Sequence, residues 1–176
     1  MDPLLNLAIA LPISVLLISA SQHKRADVPR FRAQLGAYDV LPASTVARSA
    51  TLLPWAELGV GLALLVPALR PAAAAIACVL FATYALAIAV NLIRGRKDID
   101  CGCGGPAQPL SWLLVARNAV LVILSLALTL PVLERSLSAI DALALGLTTL
   151  LACLSYLAAG QLLHNQAVLG GWRYER

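Results

Sequence analysis

Five nearly uninterrupted apolar runs of about 20 residues constrain this chain more than anything else, because that length carries a helix across a hydrocarbon core of roughly 30 Å. They lie at residues 3–20, 51–69, 72–93, 110–133 and 140–163. With 60% hydrophobic and 12% charged residues and a mean hydropathy of +0.84 across 176 residues, a soluble domain is excluded. The expected fold is all-α: a polytopic membrane helical bundle, four core helices plus one, forming a single integral membrane domain over 1–176. The first run carries Asp2 in front and its basic residues behind, the reverse of a signal peptide, and reads as a retained span.

Lysine and arginine mark the cytoplasmic side of short loops. Lys24, Arg25, Arg30, Arg32 and Arg48 lie between the first two spans; Arg94, Arg96 and Lys97 follow the third; Arg173 and Arg176 close the chain. In a five-span arrangement all ten share one side, against Arg70 and Arg135 on the other. This places the N-terminus outside, the C-terminus inside, and the loop after span three at the cytoplasmic face. The charge orients the chain and does not call for nucleic acid. Residues 21–49, with Phe31, Leu35 and Tyr38 among basic positions, read either as a short helix on the membrane surface or as a solvated linker. The alanines at 72–75 suit close helix packing.

Two of the four cysteines, Cys101 and Cys103, sit in the polar loop between spans three and four. At this spacing their α-carbons are about 5.5–7 Å apart, which a disulfide can bridge with strain, and strain makes it easier to reduce. Gly102, Gly104 and Gly105 permit the dihedrals such a ring needs. A redox pair is one reading; a soft-metal site and an inert glycine turn are others. The chain's single methionine and two histidines make a poor metal set, so no metal ligands are assigned. Cys78 and Cys153 lie inside apolar runs and read as packing residues.

Ionisable groups inside apolar runs are costly without a partner or a wet cavity. Glu57 in span two and Arg117 in span four are placed at similar depth from the cysteine side, and an ion pair between them is expected. Asn118, Asn91 and His164 lie toward the same face, so Glu57, Arg117, Asn118, Asn91 and His164 are candidate binding residues around the candidate redox residues Cys101 and Cys103. Gly59 and Gly61 beside Glu57 allow a helix or ligand to approach closely.

The segment NLIRGRKDIDCGCGG, residues 91–105, between two hydrophobic runs, closely resembles the MauE family of methylamine utilisation membrane proteins. WAELGVGLALL, residues 55–65, is similar to that family and to the broader DoxX-like group of small helical bundles. The resemblance implies support for maturation of an extracytoplasmic, disulfide-rich methylamine dehydrogenase subunit together with a thioredoxin-like partner, with Cys101 and Cys103 as redox residues. A thiolate of one would attack a partner's disulfide, the other would resolve the mixed disulfide, and electrons would pass to the thioredoxin-like protein or to a quinone. The alternatives are a non-catalytic membrane scaffold and a small-molecule or metal transporter using Glu57 and Arg117.

Overall fold

The computed structural model describes residues 1–176 except 103–107, 134 and 175–176, and except the side chains of 163, 164 and 166–174. The described residues form six helices: α1 (Pro3–Ala26), α2 (Val28–Ala37), α3 (Ala43–Leu65), α4 (Arg70–Ile93), α5 (Trp112–Ala127) and α6 (Ala139–Tyr174). α1, α4 and the Ala139–Leu162 part of α6 are long and apolar enough to cross a membrane. The chain is therefore a multi-pass helical membrane protein.

Helix ends follow local chemistry more than hydropathy. α1 starts where the Asp2 carboxylate accepts from the Leu4 N–H at 2.8 Å and Pro3 takes the first turn. It runs past the apolar stretch to Ala26, with His23, Lys24 and Arg25 in its last turn, where positive charge suits the carbonyl end of the helix dipole. α3 begins at Ala43, well before the expected residue 51, because Ser44, Thr45 and Arg48 are polar without being helix breakers. α5 ends at Ala127 rather than near 133: Pro131 lacks a donor and biases the residue before it away from helix. Its 16 residues rise roughly 24 Å at 1.5 Å each. Residues 28–37 are the short helix α2, and Phe31 is its buried residue.

α1 and α3 pack closely and run antiparallel, as two hydroxyl bonds show: Ser14 Oγ donates to the Gly61 carbonyl at 2.6 Å and Ser21 Oγ to the Pro54 carbonyl at 2.7 Å. Gly61 makes this approach possible, since a Cβ there would lie 2.9 Å from Ile18 Cγ1 and 3.2 Å from the Ser14 carbonyl; Gly59 has open space instead. α4 and α5 form the second close pair, and α6 lies against α1. Ala73, Ala74 and Ala77 of α4 are buried with Ile13, Leu17 and Leu64 in one core cluster. A second cluster at the cysteine end joins Tyr38, Ile88, Leu92, Cys101, Leu110 and Leu114.

Candidate functional site

The cysteine loop is pinched at its base. Asp100 and Pro109 pair as an antiparallel bridge, the Cys101 N–H donates to the Gln108 carbonyl at 2.9 Å, and the Leu110 N–H donates to the Lys97 carbonyl at 3.0 Å. The Asp100 carboxylate accepts from the Gln108 N–H at 3.1 Å, which closes the base from inside. Gly102 has φ +66, the left-handed region that glycine enters without a side-chain clash, and a Cβ there would meet Gln34 Oε1 at 3.2 Å. Cys103 lies outside the described residues.

α2 lies against this loop. Gln34 Nε2 donates to Asp100 Oδ2 at 2.6 Å, Arg30 stands 3.5 Å from the same carboxylate, and the Tyr38 hydroxyl donates to the Cys101 carbonyl at 2.9 Å. Arg96 Nη2 donates back to the Ala37 carbonyl at 2.9 Å. Burial pushes the Tyr38 phenol well above its usual range; the Asp100 charge adds to the rise and the Arg117 charge opposes it. Tyr38 therefore stays a protonated donor, and Cys101, 8% exposed, is held by both its N–H and its carbonyl.

Behind Cys101 and Gly102 a cavity of about 90 Å³ opens into the bundle, with Lys24, Glu57, Tyr84, Arg117 and Asn118 among its walls. Glu57, 1% exposed, is held at Oε1 by the ammonium of Lys24 and by the Tyr84 hydroxyl, the latter at 2.6 Å. Lys24 also faces the rings of Phe31 and Tyr84, 5.2 and 4.9 Å from their centroids.

The expected Glu57–Arg117 ion pair is thus replaced. Lys24, placed by charge in a topology-setting loop, extends α1 inward and takes the carboxylate. Arg117 instead lies over the Tyr156 ring of α6, 5.1 Å from its centroid.

The other expected residues divide. Asn118 lines the cavity, its Nδ2 donating to the Leu114 carbonyl at 2.8 Å. Asn91 is fully buried and bonds its own helix, Nδ2 to the Ala87 carbonyl at 3.0 Å, and is not among the lining residues. The side chain of His164 lies outside the described residues. Cys78 and Cys153 are free thiols and line no part of this cavity. Lys24, Tyr84 and Tyr38 were missed as site residues. The available signals were a lysine one turn beyond an apolar run and a phenol inside one, since a buried tyrosine hydroxyl calls for a partner.

The Methylamine utilisation protein MauE family model matches residues 2–131, ending before α6 begins. Methylamine utilization protein MauE of Methylophilus methylotrophus is 44% identical over 102 residues, 58% of this chain and 54% of that relative. The chain thus matches about half that protein's length. The MauE protein of Paracoccus denitrificans is 38% identical over 129 residues, 72% of this chain and 69% of the relative, and that of Paracoccus versutus 39% identical over 127 residues, 71% and 68%. No solved structure matches the chain significantly.

Proposed function

Because the chain belongs to the MauE family, we propose that it is a membrane thiol-disulfide redox component of methylamine utilisation, exchanging disulfides through Cys101 and Cys103. Its partner is a thioredoxin-like protein, and its client an extracytoplasmic, methylamine dehydrogenase-like protein. The observation that carries this reading is the mounting of Cys101: both backbone groups are tied down, beside a left-handed glycine, on the wall of a cavity that holds charged side chains. An inert turn has no need of such a mounting. In the exchange a thiolate on one protein attacks a disulfide sulfur of the other, a mixed disulfide forms, and the second cysteine displaces it; the reaction runs in either direction.

Single-cysteine variants test this. Cys101→Ser or Cys103→Ser should accumulate a mixed disulfide with the partner, visible on a non-reducing gel, and abolish client maturation, while Cys78→Ser and Cys153→Ser leave it intact. Full maturation with both loop cysteines replaced would leave a membrane scaffold as the better reading.

The sidedness expected from the basic residues goes with this function in a bacterial inner membrane, with α3 and α5 as the two further crossings. α3, 23 residues long, rises roughly 34 Å, enough to span. Reporters fused after Asp27 and after Lys97 should both read cytoplasmic; a periplasmic signal at Lys97 would invert the arrangement.

A further inference from the structure

We infer that a cavity at the end of the bundle away from the cysteines binds a phosphate group through Arg70. The space is about 320 Å³ and is walled by Pro3 and Leu7 of α1, Pro67 of the α3–α4 turn, Leu128, Val132 and Arg70 itself. It is more than twice the ~150 Å³ of an engineered cavity that takes a benzene ring, so a phosphate and a glycerol-sized substituent fit within it.

Arg70 carries the argument by its charge. Its side chain is only 9% exposed, and it forms no ion pair among the described residues. Asp2 and Asp141, carboxylates of this end, are engaged by Arg135 instead. The two bonds Arg70 does make, from Nε to the Leu64 carbonyl and from Nη1 to Asn6 Oδ1, go to neutral acceptors and offset no charge. A cation held out of water without a counter-charge is costly. A bound anion supplies that charge.

The guanidinium also keeps donors for it. Two of its five N–H groups are used, and Nη2 makes no bond among the described residues. Nη2 is not among the enclosed unpaired atoms, so it remains open to water-sized space. A planar guanidinium with free N–H groups suits phosphate oxygens, which accept strong charge-assisted bonds. Arg70 is the first residue of α4, so the positive end of that helix dipole adds to its charge. α4 has 24 residues and is long enough to cross the membrane, which sets this end at the level of the lipid headgroups. The apolar walls suit the carbon skeleton of a phosphate ester. Both a phospholipid headgroup and a free phosphate present the required chemistry.

The test follows the melting temperature of the full chain in a phosphate-free, non-ionic detergent at constant ionic strength. The probes are inorganic phosphate, dicaproyl-phosphatidylglycerol, and dicaproylglycerol, which has the same chains and no phosphate. A phosphate probe should raise the melting temperature to saturation, and dicaproylglycerol should not. Saturation by the phospholipid alone assigns the phosphate to a lipid headgroup; saturation by inorganic phosphate shows that the free anion suffices. Arg70→Gln should weaken binding at least about tenfold, the scale of one charged hydrogen bond, and Arg70→Lys, which keeps the charge, should weaken it less. Asn6→Asp places a carboxylate where Oδ1 meets Nη1, so it should raise the ligand-free melting temperature and remove the response to phosphate. Val132→Trp, at an exposed position of the wall, should fill the space and remove the response with the ligand-free melt unchanged. These two variants keep the test decisive if Arg70→Gln fails to fold. No saturable response to either phosphate probe, a response undiminished in Asn6→Asp and Val132→Trp, or an equal response to dicaproylglycerol would overturn the site. Each of those results leaves the thiol reading untouched, because Cys101 lines no part of this cavity.

Discussion

The two ends of the bundle use the same kinds of residue for different purposes. At the end away from the cysteines, Arg135 stands 3.3 Å from Asp2 and 3.2 Å from Asp141, all in reach of solvent, and ties the chain's start to the approach to α6. Arg70 there bonds twice, its Nη1 donating to Asn6 Oδ1 at 2.8 Å and its Nε to the Leu64 carbonyl at 2.9 Å, while Asn6 Nδ2 is buried without a partner among the described residues. At the cysteine end, Lys24 and Glu57 meet out of water, 6% and 1% exposed, on the wall of a cavity, and leave bonding capacity unused. The difference lies in exposure: a set of exposed ion pairs ties elements together at one end, and a buried pair lines a cavity at the other.

Substitutions should reproduce that difference. The largest effect is expected from Lys24→Met, which leaves the Glu57 carboxylate buried with only Tyr84 to hold it. Removing one partner of a buried pair costs about 3 to 5 kcal/mol, read as a lowered melting temperature in detergent. The Lys24→Met, Glu57→Gln double change should recover part of that loss, because it removes the stranded charge. Additive losses would show that the pair is not coupled and would erase the contrast between the ends. The smallest effect belongs to Arg135→Ala, since exposed ion pairs contribute little. Its melt should coincide with wild type within replicate scatter, and a clear drop would give the far end a weight its exposure denies it.

Much of the fold was legible because burying apolar surface and satisfying backbone groups in lipid leave helices as the economical choice. The runs at 72–93 and 140–163 became α4 and the membrane-length part of α6 with little adjustment, and the helix in the 21–49 segment was one of two open readings. Span lengths were read less well at 51–69 and 110–133, where capping, proline and helix-tolerant polar residues set the ends. In the site, the family motif singled out the loop of Cys101, and the cost of intramembrane charge singled out Glu57 and Arg117. Both groups do line one cavity. Their partnership was not legible, because Lys24 at the end of α1 takes the Glu57 carboxylate, and which cation reaches it depends on how the helices pack.

The sequence alone determined that this is a helical membrane protein with a Cys-Gly-Cys motif in a polar stretch between apolar runs, because hydropathy over 20-residue lengths and the chemistry of a short motif are local properties. Only the tertiary structure decided which cation meets Glu57, that Tyr38 of α2 holds Cys101, and that Arg117 is left facing Tyr156. These depend on how far each helix extends and on the antiparallel setting of α1 against α3, where two serine hydroxyls and the missing side chain of Gly61 place Lys24 at the depth of Glu57.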